Sequence, residues 1–340
     1  MPNVTITPEA LAKSAALYRK ELLQMPVLAL GPALNYFTLR TGIRYSETVG
    51  QLAGAIEMGP YSESRVDSTG VSVAGRTLRT YFGSVIKEFS PNSVAQSIYG
   101  SSITSGEGLK DTDIVRQVLA FLSAKIGQGF AQHLFDAVRN DSGTKTVDLF
   151  DGIDTITGKE ITAGNIAVDK GNLYEFSEAI TSDNAVDAIV AFCRAASDEL
   201  LDYEDGADSQ GGQLNLFVPR SLVYAYRDDY KTTTGQSPIY DKFNQTVVEG
   251  FPNITLVPMA GKAKSDYIQL SSKVNMLIGT DQMSNLENIV VEKHAAFVLQ
   301  FVATMFFGVD FESVSPERLL VGKFKAATPP TDDQGGKIGN

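Results

Sequence analysis

Few residues in this chain are of the types that carry out acid–base, nucleophilic or metal chemistry. It has two histidines, His133 and His294, and one cysteine, Cys193. A structural zinc site takes four ligands, mostly Cys and His, and a serine hydrolase of the Gly-x-Ser-x-Gly type needs a motif that does not occur here. Cys193 lies on the apolar face of a predicted helix, which indicates a core position. We therefore predict no catalytic, metal-binding or cofactor-binding residue, and a protein that is not an enzyme.

The glycine-rich and acidic stretches also lack a ligand-binding pattern. No Gly-Lys pair is followed by the Ser or Thr of a phosphate-binding loop, and the Gly-Gln-Gly at 127–129 lacks the third glycine of a dinucleotide site. Acidic residues crowd between 198 and 208, but Gly206 is fifth from Asp202, where an EF-hand calcium loop needs its glycine sixth. We predict a solvated loop there.

The composition indicates a globular chain with a sizeable core. It has 340 residues and is 43% hydrophobic, enough for one large or two modest domains. No stretch has the 18 apolar residues of a membrane span, and the N-terminus does not have the pattern of a secretory signal. A single cysteine fits a reducing cytosol. The net charge of −11, without a basic cluster, argues against a dedicated nucleic-acid reader.

The longest predicted element is a helix over residues 112–139. Its apolar residues recur every three or four positions from Val115 to Val138 and form one stripe. Asp111 can cap its start, while the glycines at 127 and 129 weaken its middle. At 1.5 Å per residue the helix would be about 42 Å long. We expect it to act as a spine on which other elements pack.

The chain before this spine is predicted to be extended rather than compact. Residues 7–25 have the pattern of an amphipathic helix, and an arm without periodicity continues to residue 48. Apolar residues between 71 and 86 suggest two strands on either side of Gly75, with 56–67 as the facing strand. A two-stranded unit of this size has too little core to be stable alone. It must pack on the body or lie on another subunit.

After the spine, strand and helix patterns alternate, as in an α/β unit followed by return strands. The predicted elements are a short strand and turn at 149–158, a helix at 184–201, a strand at 214–219, a helix at 220–230, strands at 251–259, 267–270 and 274–281, a strand-rich stretch at 289–311, a last strand at 319–321 and a flexible tail at 326–340.

The order of these elements resembles the major capsid protein of tailed bacteriophages, which has the Hong Kong 97-type fold. An arm and a two-stranded loop precede a long spine helix, and an inserted α/β unit precedes long return strands. Four stretches also resemble the family locally, and together they extend the resemblance over nearly the whole chain. They are 186–201 followed by LNLFVPRSLVYAYRDDY, VEGFPNITLVPM at 248–259, NMLIGTD at 275–281 and VEKHAAFVLQFVATMFFGVDFESVSPERLLVG at 291–322.

The resemblance implies an α+β, Hong Kong 97-like capsid fold with a long spine helix and an inserted domain. Its parts would be an N-terminal arm at 1–49, an extended β-hairpin loop over the adjacent subunit at 50–90, a peripheral domain at 91–178 and 283–325 with the spine helix at 112–139, an axial domain at 179–282 and a flexible tail at 326–340.

The resemblance also implies where subunits would touch. We expect inter-subunit contacts from Tyr61, Arg65, Arg76, Arg79, Tyr81, Lys87, Arg116, Asp202 and Asp205. Lys87 is the candidate lysine in the loop for the cross-link to a neighbour's Asn that some family members form; a simple surface lysine is the commoner alternative.

The expected function is that of an icosahedral shell. The chain would assemble with itself as pentamers and hexamers around double-stranded DNA, which it would contact non-specifically, and it would meet no membrane. It would be found in the virion, assembled in the bacterial cytoplasm. Only about 110 residues precede the spine, so we expect no N-terminal scaffolding segment, but a separate scaffolding protein and a portal.

Two alternatives remain open from the sequence. An encapsulin-type nanocompartment shares the fold but encloses protein cargo, which would bind an inner groove. A soluble α+β enzyme acting at the acidic loop at 198–208 would show turnover and form no shells.

Overall fold

Two β-sheets, a separate two-stranded hairpin and the helices packed against them make up the architecture. A computed structural model describes residues 30–53, 72–89, 111–202, 213–234, 246–281, 289–295 and 298–325. The helix predicted at 7–25, the facing strand predicted at 56–67 and the tail at 326–340 lie outside the described residues.

Strands and helices follow one another along the described chain. The strands are β1 (Thr38–Thr41), β2 (Ser46–Ala53), β3 (Ser72–Arg79), β4 (Tyr81–Phe89), β5 (Leu173–Glu175), β6 (Leu214–Val218), β7 (Val247–Val248), β8 (Phe251–Pro258), β9 (Tyr267–Ser272), β10 (Met276–Thr280), β11 (Ile289–Ala295), β12 (Val298–Phe311) and β13 (Leu319–Lys323). The α-helices are α1 (Asp111–Gln132), α2 (Ile153–Thr162), α3 (Ala185–Arg194), α4 (Asp198–Leu201) and α5 (Arg220–Thr234), and short 3-10 helices span Gly31–Asn35, Thr146–Asp148 and Val168–Lys170.

The six-stranded sheet, in the order β5-β13-β9-β6-β8-β7, has a hydrophobic core on each face. Side chains alternate between the faces of a strand. In β6, Leu214, Leu216 and Val218 belong to the core beneath α3 and α5, while Phe217 belongs to the core on the other side. Because both faces are covered, every residue of β6 is buried, which explains why all of them but Asn215 are apolar.

Helix α3 covers one face of this sheet with a single apolar stripe. Ala185, Ile189, Phe192 and Cys193 are buried, at the spacing of residues that share one side of a helix. The core position predicted for Cys193 is confirmed, since the residue is fully buried.

The five-stranded sheet is organised around β12. Strands β10, β11 and β4 all pair with it in antiparallel fashion, and β1 extends the sheet beside β10. Strands β4 and β11 both pair with residues 299–303, so they lie on opposite edges of β12. Helix α1 packs on one face, where the rings of Phe130 and Phe307 stack with centroids 4.2 Å apart.

The spine helix is shorter than predicted, because α1 ends at Gln132. The apolar stripe continues to Val138, but the backbone beyond the helix pairs with the segment that leads into α2. The Val138 N–H donates to the Val147 carbonyl, and the Gly152 N–H donates to the Ala137 carbonyl. Tertiary hydrogen bonds therefore replace the helical ones, which residue spacing cannot show.

Two further predictions are wrong in their element type or extent. The stretch at 149–158, predicted as a strand and turn, is instead a short lead at 149–152 followed by the first residues of helix α2. The single helix predicted at 184–201 is two helices, because the chain leaves the helical path after α3 and Ser197 starts α4. The Ser197 hydroxyl accepts a hydrogen bond from the Leu200 N–H at 3.2 Å, an N-cap that begins a new helix.

The break between the strands of the hairpin region falls at Thr80 rather than at Gly75. Strand β3 runs unbroken through Gly75, which pairs with Gly50 of β2. Among the described residues the strand that pairs with β3 is β2; the facing strand predicted at 56–67 lies outside them.

The remaining predicted elements after the spine are confirmed. They appear as β6, α5, β8, β9, β10, the β11–β12 pair and β13, and α5 continues to Thr234. Strand β10 belongs to the five-stranded sheet and β13 to the six-stranded sheet. Among the described residues, no helix is long and apolar enough to cross a membrane.

Candidate functional site

The β2–β3 hairpin projects from the body, and its base is held by a small core of its own. The two strands pair over eight positions, from Ser46 opposite Arg79 to Ala53 opposite Ser72. Beneath the base, Leu78 and Val49 pack with Ile43 and with Leu277 of β10. All are nearly or fully buried. The hairpin is therefore fixed at its base, and it pairs with no strand of either sheet among the described residues.

A pair of glycines lets the hairpin approach the five-stranded sheet closely. Gly279 of β10 and Gly308 of β12 lie opposite each other, and the end of β3 passes over both. A Cβ at Gly308 would collide with the carbonyl oxygen of Arg79, and one at Gly279 would lie 2.8 Å from the methyl group of Thr80. Only glycine leaves the room that this crossing requires.

Arg76 fastens the hairpin to the body through two carboxylates. Its Nη2 lies 2.7 Å from Asp310 Oδ1 of β12, and its Nη1 lies 3.0 Å from Glu160 Oε1 of α2. Burial alone would lower the pKa of Arg76, but the two carboxylates more than offset it and the pKa is raised. Burial also raises the pKa of Asp310, against the opposing effect of Arg76. This ion-pair cluster is therefore strongly desolvated.

An exposed aromatic surface lies where the hairpin meets the sheet. Tyr45 has a left-handed backbone with φ of 69°, unusual for a residue other than glycine, and its carbonyl accepts a hydrogen bond from the Thr80 N–H at 2.8 Å. Its ring centroid is 4.9 Å from that of Phe306, and Phe82 lies equally close to Phe306. Ile86, four residues further along β4, shares this face. We call Tyr45, Phe82, Ile86 and Phe306 the aromatic patch.

The opposite face of β4 borders a cleft of about 390 Å³ against α1. Ile126 and Phe130 of the helix form one wall and Leu149 another. At its rim, Arg139 lies 4.6 Å over the ring of Tyr81 and donates from Nη1 to the Leu149 carbonyl at 2.6 Å. The cleft is lined by both polar and apolar groups and holds no arrangement that suggests catalysis.

A buried lysine ties helix α2 to the six-stranded sheet. Lys262 is fully buried, and its ammonium donates to Asp154 Oδ1 at 2.8 Å and to the Tyr267 carbonyl at 3.0 Å. It lies 4.5 Å from the centroid of the Phe135 ring. Burial lowers the pKa of Lys262, and Asp154 opposes that shift. Because the Gln269 amide also bonds Asp154 at 2.8 Å, this network is structural in character.

The described part of the chain places the residues predicted as inter-subunit contacts at different sites. Arg76 is used in ion pairs within its own chain, Tyr81 lies beneath Arg139, and Arg79 and Lys87 are exposed on β3 and β4. Asp202 is exposed just after α4.

The other predicted contacts cannot be placed. Arg116 lies on α1, but its side chain is outside the described set, and Tyr61, Arg65 and Asp205 lie outside the described residues altogether. Whether any of the nine touches another subunit stays a prediction.

The histidines stay apart from these features. His133 lies just beyond the end of α1, with its Nδ1 3.0 Å from Asp136 Oδ1, while His294 belongs to β11. Within the described ranges, no three His, Cys, Asp or Glu side chains come together to hold a metal.

The aromatic patch and the glycine pair were not predicted from the sequence. An isolated glycine within a strand is a signal of close backbone approach, and both Gly279 and Gly308 give it. In β4, Phe82, Val85 and Ile86 break the alternation expected of a strand with one buried face. The sequence around Lys262 gave no signal that this lysine is buried.

Comparison with known proteins relates this fold to capsids. No family model matches the chain, and no curated protein matches its sequence. A chain of the procapsid of satellite phage P4, in a structure that includes the size determination (Sid) protein, is 12% identical and has a TM-score of 0.56. The match covers 90% of this chain and 99% of that one.

A second similar structure is the capsid of an empty GTA particle, which is 14% identical with a TM-score of 0.55. It matches over 87% of this chain and 90% of its own. The chain therefore has the fold of phage capsid proteins. That fold is the α+β, Hong Kong 97-like architecture that the order of elements predicted.

Proposed function

We propose that this chain is the major capsid protein of a tailed bacteriophage and assembles with itself into the shell of the virion. The observation that carries the proposal is the fold, which matches the satellite phage P4 procapsid chain over nearly the full length of both. A shell protein has no need of a catalytic centre. This agrees with the small number of residues in the sequence that could form a catalytic or metal site.

The projecting hairpin supports the self-assembly part of the proposal. Two-stranded hairpins are at best marginally stable alone. Among the described residues, this one is held by the small core at its base and by the ion pairs of Arg76. Strands β2 and β3 expose most of the side chains that can be described. A second subunit can bury that surface, as subunits do in closed symmetric assemblies.

Each expected domain has its own proposed contacts in the shell. The arm at 1–49 and the loop at 50–90 would reach neighbouring subunits. The peripheral domain at 91–178 and 283–325 would meet its neighbours at local threefold and twofold axes, and the axial domain at 179–282 would surround fivefold and sixfold axes. Pentamers and hexamers would then arise from one chain by small changes in the arm and loop.

The proposed partners are other copies of the chain, a separate scaffolding protein and a portal. The packaged double-stranded DNA would be contacted without sequence preference, because the net charge of −11 offers no basic surface for tight binding. Assembly would take place in the bacterial cytoplasm.

Negative-stain electron microscopy with light scattering on the purified chain tests this function. We expect closed shells, or rings of five or six copies, and after expression with the other genes of the phage we expect DNA inside. Shells that enclose a protein cargo instead would identify a nanocompartment. A monomer or dimer that forms no shells even with a co-expressed scaffolding protein would refute assembly.

A further inference from the structure

Lys262 and Asp154 form an ion pair in largely desolvated surroundings. The side chain of Lys262 is fully buried and that of Asp154 is 13% exposed, with Nζ 2.8 Å from Oδ1. The ring of Phe135, whose centroid is 4.5 Å from Nζ, covers the amine. Removing an amine and a carboxylate from water together is costly, and their attraction offsets that cost only when all their polar atoms have partners.

One carboxylate oxygen of this pair has no partner. Asp154 Oδ1 accepts hydrogen bonds from Lys262 Nζ and from Gln269 Nε2, each at 2.8 Å. Oδ2 is buried as well, and no group in the described part of the chain donates to it. A buried carboxylate oxygen without a donor is unfavourable. The ion pair is therefore incompletely satisfied in the place that it occupies.

The backbone holds both side chains in position. Lys262 lies in the turn between β8 and β9, directly after Gly261, which has a left-handed backbone with φ of 81°. A Cβ at Gly261 would lie 2.8 Å from the Gln132 carbonyl oxygen, so the turn sits tightly against the end of α1. Asp154 is in the first turn of α2, and its N–H donates to the Phe135 carbonyl at 3.1 Å. Two groups held together in this way react far faster than the same groups free in solution.

We infer that Lys262 and Asp154 join in an amide bond within the folded subunit. A proton first passes from the ammonium to the carboxylate, and the neutral amine then attacks Cγ of Asp154. The Nζ–Cγ bond forms and the Cγ–Oδ2 bond breaks. Oδ2 leaves as water, with the proton of the carboxylic acid and one proton of the amine. The reaction is a condensation that needs no oxidant or cofactor, and it does not depend on the proposed self-assembly.

The surroundings suit each stage of this reaction. Burial lowers the pKa of Lys262, against the opposing effect of Asp154, and so favours the neutral amine. As Nζ attacks, negative charge develops on Oδ1, to which the Gln269 amide already donates. The single N–H of the product amide has the Tyr267 carbonyl, 3.0 Å from Nζ, as its acceptor.

The product removes what is unfavourable in the ion pair. Both buried charges disappear, and so does the unsatisfied Oδ2. The bond also joins α2 to a turn that is 108 positions away in the chain, which restricts the unfolded chain as a disulfide does.

Mass spectrometry of the denatured full-length chain tests the inference. We expect the wild type to be lighter than its sequence by the mass of one water molecule. Trypsin cleaves only after a lysine with a free amine, so the digest should contain a branched peptide that joins Asp154 to Lys262, uncleaved after Lys262. A wild-type chain at its full sequence mass, with Lys262 cleaved normally, would overturn the inference whatever any variant does.

Lys159 provides a control within the same chain. Its Nζ lies 2.6 Å from Asp151 Oδ2, closer than Lys262 lies to Asp154, but its side chain is 62% exposed. We expect trypsin to cleave after Lys159 as after any free lysine. A cross-link at Lys159 as well would contradict the role given to burial.

Two variants identify the atoms that are lost. Asp154→Asn should form the same amide with release of ammonia instead of water, so its branched peptide should have the same mass as that of the wild type. Lys262→Met has no amine and should have its full sequence mass. A loss of water that persists in Lys262→Met would show that another group is dehydrated and would overturn the inference.

Discussion

Arg76 shows how one side chain can decide the position of a whole hairpin. It is the cation between Asp310 and Glu160, and all three side chains are at most 18% exposed. From the resemblance, Arg76 was expected to make contacts between subunits. The carboxylates that it meets are 84 and 234 positions away in the chain, and no local pattern could have revealed them.

Replacement of Arg76 should therefore destabilise the subunit. We expect Arg76→Met to lower the free energy of unfolding by about 3 kcal/mol, because it leaves two largely buried carboxylates without their partner. Urea denaturation measures the effect. Arg194→Met, at an exposed position on α3, is the control and should change the free energy by less than about 0.5 kcal/mol. Equal losses from the two variants would contradict the role assigned to Arg76.

Two buried acids predict how stability changes at alkaline pH. Burial raises the pKa of the Cys193 thiol from 9.0 to about 12. Burial likewise raises that of the Tyr226 hydroxyl from 10.0 to about 12, although a hydrogen bond from the Glu249 N–H opposes the shift. Above pH 9 the unfolded chain gives up protons that the native chain keeps. Stability is thus complete below that pH and is lost as the pH rises towards 12.

The slope expected from Cys193 is about 1.4 kcal/mol per pH unit between these limits. Urea denaturation at pH 8 and pH 10 should show the wild type losing about 1 kcal/mol more than Cys193→Ala does over the same interval. A variant that loses as much stability as the wild type would show that the thiol is not responsible.

At the scale of elements, the glycine pair governs how the hairpin sits on the sheet. Gly308→Ala should push the end of β3 off β12, because the new Cβ would meet the carbonyl of Arg79. We expect hydrogen exchange of the β3 amides to become at least tenfold faster, while the amides of β6 stay protected. Gly158→Ala is the control: its Cβ would lie 3.6 Å from the Tyr267 hydroxyl, an ordinary contact distance, and alanine should favour helix α2. Unchanged exchange in β3 would mean that the sheet yields instead.

Elements with a strong local signal were predictable, and elements shaped by distant contacts were not. The mostly apolar stretch of β6, ended by Pro219, and the pattern of α5 correctly predicted a strand and a helix. The end of α1 was missed because its backbone pairs with residues 147 and 152 rather than with its own next turn. The pairing of β2 with β3 was missed because β2 begins in the arm without periodicity, which was predicted to continue to residue 48, and crosses into the predicted loop.

For the candidate site, the sequence predicted the presence of a hairpin with too little core, but not its anchors. Lys262, although it is not part of the hairpin, shows why contacts between distant residues could not be predicted. A lysine in a Gly-Lys-Ala-Lys turn reads as solvated, and only the fold brings Asp154 and Tyr267 around it.

At the scale of the whole molecule, the six-stranded sheet makes the two cores interdependent. Phe217 and Leu216 are neighbours in β6 but belong to different cores. We therefore expect a single cooperative unfolding transition. Hydrogen exchange at increasing urea should show amides of α3 and of β12 opening at the same denaturant concentration. Separate transitions, with one core open while the other stays protected, would refute this interdependence.

The place of β13 in that sheet has a consequence for synthesis. The strand pairs with β5 on one side and β9 on the other, and it supplies Leu320 to one core and Leu319 and Val321 to the other. It is also the last described strand to leave the ribosome. During synthesis, all the other described strands are therefore made before β13 can complete either core. A chain that ends before residue 319 lacks β13 and cannot complete the fold. In the proposed shell, a subunit that lacks β13 would therefore not be incorporated.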